Sequence, residues 1–454
     1  MGEKGKTVFL GRGIAMQYSI VDKQECAKYD FGFLLFSPDF FMEDKMSNWK
    51  LLERKSGKSV ADYFQHVKDM VKETKQQAIC YDLTDGLPKF LDGGVVVDHI
   101  RSAKKVAREG DFVISRLRSY LEEMAIVERK KQPQLFSSEF LVFRKKTEEL
   151  SVETLFAVCM TNIVQVILSR GQYGTEHPRF YDFLLTNLPI PACLQTIDGQ
   201  IKNLVQQALG HRVRARKMYA DTQSALLTEL GLVNWRPKHE INFSRNYSDI
   251  QNAGRIDAEY FQPKYKKIVC RIKSYSGGWE KLENFVQVKD AKFMLETDKR
   301  YEYIELANIA SQGEIAGHMW ELGQDLPGRA RRQVATGDVI VSSIEGSLSS
   351  IALVQQKHDQ AVCSTGFHVI KSSELNSETL LLLMQSIVGQ LQLKKGCSGT
   401  ILTAISKDEL GQIVLPKIRA EVQKKIRQKV AETFKLRARS KHLLNCAKTA
   451  VELA

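Results

Sequence analysis

The chain lacks any apolar run long enough to cross a membrane. Its best candidates, Leu155–Leu168 and Leu380–Leu393, are interrupted by Thr161, Asn162, Gln165, Gln385 and Gln390. It also lacks a C-x-x-C pair. Cys26, Cys80, Cys159, Cys193, Cys270, Cys363, Cys397 and Cys446 stand singly, which suits a reducing compartment and argues against a disulfide framework or a zinc–thiolate site. No apolar core of signal-peptide length follows the charged Met1–Thr7, so the expected location is cytoplasmic. Catalytic signatures are missing as well. Without a Pro-Pro dipeptide there is no Asn/Asp-Pro-Pro-aromatic turn to hold the amine of a flipped base. Gly57-Lys58-Ser59 ends like a phosphate loop, but Leu52 stands where the first glycine belongs. His66, His99, His177, His211, His239, His318, His358, His368 and His442 show no H-E-x-x-H or other ligand spacing and read as structural or surface residues. Ser342, Ser343, Ser347, Ser349 and Ser350 have no G-x-S-x-G elbow, and Asp98–His99 are adjacent, a poor placement for a dyad.

What the chain has is size, positive charge and a repeat. Its 454 residues exceed what one hydrophobic core usually serves, so at least two domains are expected. Hydrophobic residues at 43% and charged residues at 26% describe a globular protein. The formal net charge of +13 and pI near 9.2 favour a polyanionic partner, because lysines and arginines that neutralise phosphates release counterions.

Gly110-Asp111-Phe112-Val113-Ile114-Ser115 reappears as Gly337-Asp338-Val339-Ile340-Val341-Ser342, an offset of 337 − 110 = 227. Lys104–Lys105 against Arg331–Arg332, Ala125-Ile126-Val127 against Ala352-Leu353-Val354, and Leu188–Pro189 against Leu415–Pro416 keep that offset. Glu153-Thr154-Leu155 against Glu378-Thr379-Leu380, and Gly171-x-x-Gly174-Thr175 against Gly396-x-x-Gly399-Thr400, are offset by 378 − 153 = 225. Val213-Arg214-Ala215-Arg216 then matches Leu436-Arg437-Ala438-Arg439. Short β-branched runs at Asp111–Ser115, Ala125–Val127, Phe140–Phe143, Val339–Ser342 and Ile351–Val354 predict strands, and Val152–Ser169 and Ser377–Lys394 predict helices. The glycine pairs are either phosphate cradles or turns needing positive φ; the turn is the commoner use.

Each half ends in a different pattern. Ile197, Ile201, Leu204, Ala208, Ala215, Met218, Thr222 and Ala225 recur in steps of three and four, broken by His211. Val422, Ile426, Val430, Phe434, Leu443, Ala447 and Val451 do the same, with an irregular stretch at Arg437–Lys441. Such stripes predict long amphipathic helices with a coiled-coil-like seam, begun after Pro191 and Pro416 and natural partners for each other. Lys424, Lys425, Arg427, Arg437 and Arg439 are expected to face solvent or partner subunits.

At Ala253-Gly254-Arg255-Ile256-Asp257-Ala258-Glu259-Tyr260-Phe261-Gln262-Pro263-Lys264-Tyr265 the chain resembles the opening of a target-recognition domain in type I restriction-modification DNA-specificity subunits. The Gly337–Ser342 strand and the run from Gly396–Thr400 to Asp408-Glu409-Leu410-x-x-Ile413-x-Leu415-Pro416 are similar to that family's core strand and closing motif. The likeness covers about Asn234–Ala454 well and Lys104–Leu232 loosely, and is nearly absent from residues 1–100. Two departures stand out: Leu415-Pro416-Lys417-Ile418 lacks the second proline seen at Pro191, and Arg116 becomes Ser343. The resemblance implies an α+β fold with two pseudo-symmetric target-recognition domains, 1–192 and 234–416. Two long helices, 193–233 and 417–454, would separate them as an antiparallel coiled coil. A helix of about 36 residues spans roughly 54 Å, room for about sixteen base pairs of unread spacer. It further implies a non-catalytic subunit that reads a bipartite, gapped site in double-stranded DNA. Two copies of a methyltransferase subunit would carry S-adenosylmethionine and methylate adenine N6, and ATP-dependent restriction subunits are a further partner class; no cofactor, metal or membrane belongs to this chain. Candidate DNA contacts are Lys104, Lys105, Arg116 and Arg118 in the first domain and Arg329, Arg331, Arg332, Ser343 and Ser347 in the second. The competing classes are a self-contained restriction-modification enzyme, whose motifs are missing, and a protein-binding scaffold.

Overall fold

Strands that read as continuous apolar runs are those covered on both faces, and this governs the architecture of both halves. The structure, a computed structural model, describes residues 7–10, 14–17, 38–74, 76–87, 89–399 and 403–454. Its contacts divide the chain into Met1–Arg212 with Arg437–Ala454, and Val213–Leu436.

In the first unit an antiparallel sheet runs in the order Met124–Ile126, Phe112–Ser115, Phe140–Lys145, Phe64–Val67. Phe112, Ile114, Leu141 and Phe143 face a core shared with the helices Glu43–Arg54, Val152–Cys159 and Asn162–Arg170. The alternate residues Val113, Ala125 and Val142 face Ile79, Tyr81 and Phe136 of a second sheet. That sheet orders Met70–Val71, Lys104–Ala107, Gln134–Phe136, Ala78–Tyr81 and Val95–Val97, with Gln134–Phe136 and Ala78–Tyr81 parallel.

The second unit repeats this plan. One sheet orders Ile351–Leu353, Val339–Ser342, Phe367–Ser372 and Val286–Lys289. The other orders Ala330–Gln333, Val362–Ser364, Arg300–Ile304 and Met319–Leu322, with the same single parallel pair. The correspondence also enters residues 1–100: Glu43–Arg54 and Pro263–Lys273 both precede a short strand that pairs with the segment ending at Pro191 or Pro416.

The Gly-Asp turn shows why the repeat is visible in sequence. Gly110 and Gly337 have φ of 84° and 86°, a region that favours glycine. Behind them, Asp111 accepts from the Arg108 amide and Asp338 from the Ala335 amide. Each aspartate is buried and ion-paired, but the cation comes from a different strand. Arg144 donates to Asp111 at 2.9 and 2.7 Å, whereas Lys289 donates to Asp338 at 2.8 Å to both oxygens. Lys289 occupies the register position of Val67, since Lys289 faces Val369 as Val67 faces Val142.

Three expectations need correction. Val152–Ser169 and Ser377–Lys394 are each two helices, broken where the Thr161 and Ser386 hydroxyls accept the Val164 and Val388 amides and start a new helix. Pro416 is the counterpart of Pro191, not of Pro189: Leu282 donates to the Ile413 carbonyl as Val60 does to Leu188. Thus the missing proline is the first of the pair. The Lys105–Arg332 match holds in space, Arg332 facing Cys363 as Lys105 faces Phe136, while a bulge between Ala330 and Arg332 takes up Arg331. Finally, Arg437 is buried rather than solvated.

The long helices are Cys193–Glu229 and Ala420–Leu453. On the first, Leu194 is buried near the start, and the seam is Ile201, Val205, Ala208, Arg212, Ala215, Tyr219, Thr222 and Leu226. On the second the seam is Ile426, Val430, Thr433, Arg437, Ser440, Leu444 and Ala447, with Leu436 and Leu443 buried beside it. Both follow alternating steps of four and three. The stripe looked irregular at Arg437–Lys441 because Thr433, Arg437 and Ser440 are polar members of the seam. Met218 and Ala225 fall outside it, one position from Tyr219 and Leu226. Within the first unit the helices run antiparallel, Cys193 meeting Ala454 and Ser440 donating to the Ala208 carbonyl at 2.7 Å. In the second unit, Arg419 near the start of one pairs with Glu229 at the end of the other. No single helix among the described residues is long and apolar enough to cross a membrane.

Candidate nucleic-acid interface

A cation can hold a phosphate only to the extent that the protein has not already neutralised it, so the fate of each candidate side chain decides its use. In the first unit Arg116 follows the core strand Phe112–Ser115. Its Nε donates to Glu139 at 2.9 Å, and Asp182 lies 3.4 Å away. Arg179, which sequence reasoning missed, shares Glu139 at 2.9 and 3.0 Å. Burial raises the Glu139 carboxyl, but hydrogen bonds from Arg179 and Arg116 more than offset it and hold the group below its ordinary value. Arg118 sits in the left-handed region at φ 49° and meets Nδ1 of His177 at 3.2 Å.

Lys104 and Lys105 differ from Arg116. They begin the strand Lys104–Ala107, and no carboxylate among the described residues lies within ion-pair distance of either. Lys105 is 9% exposed. Burial lowers its pKa; the fields of Asp182 and Glu139 raise it while those of Arg116 and Lys68 lower it further.

The second unit divides its cations in the same way. Arg329 is exposed and paired with Glu305 at 2.9 Å. Among the described residues, Arg331 donates only to the Gly328 carbonyl, at 3.0 Å. Arg332 is half-buried, its Nη1 has no partner among the described residues, and burial lowers its pKa. Arg331 and Arg332 line a recess of about 360 Å³ with Lys292, Asp290, Gly328 and Thr365. Lys407 takes up the Asp290 carboxylate at 2.6 Å, leaving the recess positive. Lys292 was not singled out in sequence because no repeat position marks it.

Ser343 is buried, its hydroxyl donating to Gly366 O at 2.9 Å. Its amide bonds the same carbonyl, as the Arg116 amide bonds Glu139 O. The Arg116–Glu139 ion pair of the first unit is therefore replaced at matching positions by a Ser343–Gly366 hydroxyl–carbonyl bond. Ser347 meets the Ser342 hydroxyl at 3.0 Å. The glycine pairs separate into two roles. Gly174 and Gly399 have φ of 86° and 131°, as a turn requires. Gly171 and Gly396 allow close approach, because a Cβ would lie 2.0 Å from Leu184 Cδ1 and 2.7 Å from Ile405 Cδ1. The Arg255–Asp257 run is a clip: Arg255 pairs with Asp257, lies 4.4 Å from the Tyr260 ring and donates to the Cys397 carbonyl. Gly57–Ser59 lies in the strand Ser56–Ser59, not in a phosphate loop.

No family model matches the chain, and no curated protein is a significant match. Solved structures are similar over most of it. A chain from a study of complex assembly and conformational transition in the type I R-M system is 16% identical, covers 87% of this chain and 96% of its own, and gives a TM-score of 0.30. The HsdS subunit from Thermoanaerobacter tengcongensis is 16% identical over 87% and 95%, with a TM-score of 0.29. The type I restriction-modification S subunit from M. genitalium is 11% identical over 87% and 94%, with a TM-score of 0.39. At these identities and scores no residue role is carried across.

Proposed function

We propose that this chain is the DNA-specificity subunit of a type I restriction-modification system. It has no active site of its own, and it reads a bipartite, gapped site in double-stranded DNA and directs adenine-N6 methylation by partner methyltransferase subunits that carry S-adenosylmethionine. Restriction subunits join the same assembly, and the two long helices serve as the spacer between the half-sites. One observation carries the reading. Two units of the same topology each bear, on the same strand, cations without carboxylate partners among the described residues, Lys104 and Lys105 in one, Arg331 and Arg332 in the other. A scaffold protein has no need to duplicate uncompensated charge, whereas a reader of two half-sites does.

The test has two parts. Single-molecule sequencing of host DNA, with and without the gene, should show loss of a two-part gapped N6-methyladenine motif on deletion. Duplex binding by the purified chain should weaken linearly in log–log salt plots. Lys105→Gln and Arg331→Gln should each flatten that slope by roughly 0.9. An unchanged methylome together with salt-independent binding would reject the proposal in favour of a scaffold.

A further inference from the structure

Outside the basic strands, the second unit gathers three metal-ligating side chains that are far apart in sequence. Glu302 lies in the strand Arg300–Ile304, opposite Trp320. His318 immediately precedes the neighbouring strand, and His358 ends the turn Gln356–His358. The Glu302 carboxylate is buried, and its Oε1 is 2.5 Å from Nδ1 of His358 and 3.3 Å from Nδ1 of His318. The two imidazoles are 5.6 Å apart between centroids and inclined at 70°. One donor atom from each residue lies within 4.8 Å of the others.

We propose that Glu302, His318 and His358 form a binding site for a dication of the zinc class, with water in the fourth position. The donor set of two imidazoles and one carboxylate suits zinc, with bonds of about 2.0–2.2 Å. Tetrahedral ligands at that radius stand roughly 3.3 Å apart, the separation already held by Glu302 and His318; His358 would withdraw by under about 1 Å. A buried carboxylate needs compensating charge, and no lysine or arginine among the described residues lies within ion-pair distance of Glu302. His318 is 39% exposed on its side chain, so the cluster opens to solvent on one side and an ion can enter. The repeat supplies an internal control. The position matching Glu302 is Ile79, because Tyr81 faces Phe136 as Ile304 faces Cys363. The shared fold therefore stands without this cluster, which is particular to the second unit. A bound ion would pin the start of the Met319–Leu322 strand to the sheet core and stabilise this unit by linkage.

The test uses the full-length chain, stripped with chelator and titrated with Co2+ and then Zn2+. We expect one Co2+ per chain with visible d–d absorption, displacement by Zn2+, a thermal shift upward with Zn2+, and none of these with Mg2+, which prefers all-oxygen sites. His318→Ala, at an exposed position and checked for an unchanged circular dichroism spectrum, should weaken Co2+ binding at least tenfold, and Glu302→Gln should do the same. Absence of Co2+ and Zn2+ binding by the native chain, or equal binding by the folded His318→Ala variant, would overturn the site.

Discussion

Lys45 offers a direct test of how burial and charge trade off in the first unit. It is 1% exposed, donates to the Phe40 carbonyl at 2.8 Å and places its ammonium 3.3 Å from the centre of the Phe40 ring. Burial lowers its pKa from 10.5 to about 7. Between those values the unfolded chain holds a proton that the folded chain does not, so native stability rises with pH across that window and is lowest below about pH 7. At 1.36 kcal/mol per unit, the charge costs roughly 4–5 kcal/mol at pH 7 and almost nothing above pH 10.5. Lys45→Met keeps the volume and removes the charge, but leaves the Phe40 carbonyl unpaired, a loss of about 1–3 kcal/mol. The variant should therefore be more stable than the native chain by roughly 2–3 kcal/mol at pH 7, and less stable near pH 10. Urea denaturation followed by Trp49 fluorescence reads this unit when Trp235, Trp279 and Trp320 are replaced by phenylalanine in both proteins. A difference that does not vary with pH would show that Lys45 is charged and solvated, and the reasoning would fail.

Other perturbations test the repeat. Asp111→Asn and Asp338→Asn each strand a cation beside a buried amide and should cost about 3 kcal/mol, seen as a lower urea midpoint; a cost under about 1 kcal/mol would mean that these pairs behave as surface contacts. Gly171→Ala drives a methyl into Leu184 and should cost about 1–3 kcal/mol. Gly110→Ala, with nothing within 4 Å but a positive φ, should cost only about 1 kcal/mol. Reversal of that order in thermal melts would refute the steric assignment. Glu139→Gln should lower stability by about 2 kcal/mol at neutral pH while tightening duplex binding at low salt, because Arg116 and Arg179 lose their carboxylate. As Glu139 sits below its ordinary value, its contribution is present above about pH 4.5 and lost as pH falls further, so the stability gap should close in acid.

The sequence by itself determined the repeat, its α+β character and the two long helices. These rest on local chemistry: Gly110 and Gly337 must adopt positive φ, alternate strand residues must face two cores, and seams must recur every three or four residues. Tertiary structure decided the rest, since it depends on residues remote in the chain. Thr433, Arg437 and Ser440 are polar, so hydropathy could not place them in the seam that burial shows they join. Arg116 and Lys105 look equally available as letters, yet Glu139, from a neighbouring strand turn, neutralises one and not the other. Glu302, His318 and His358 carry no motif spacing because three separate segments bring them together. Periodicity is a property of neighbours along the chain and can be read from it; which charge meets which is a property of neighbours in space and waits for the fold.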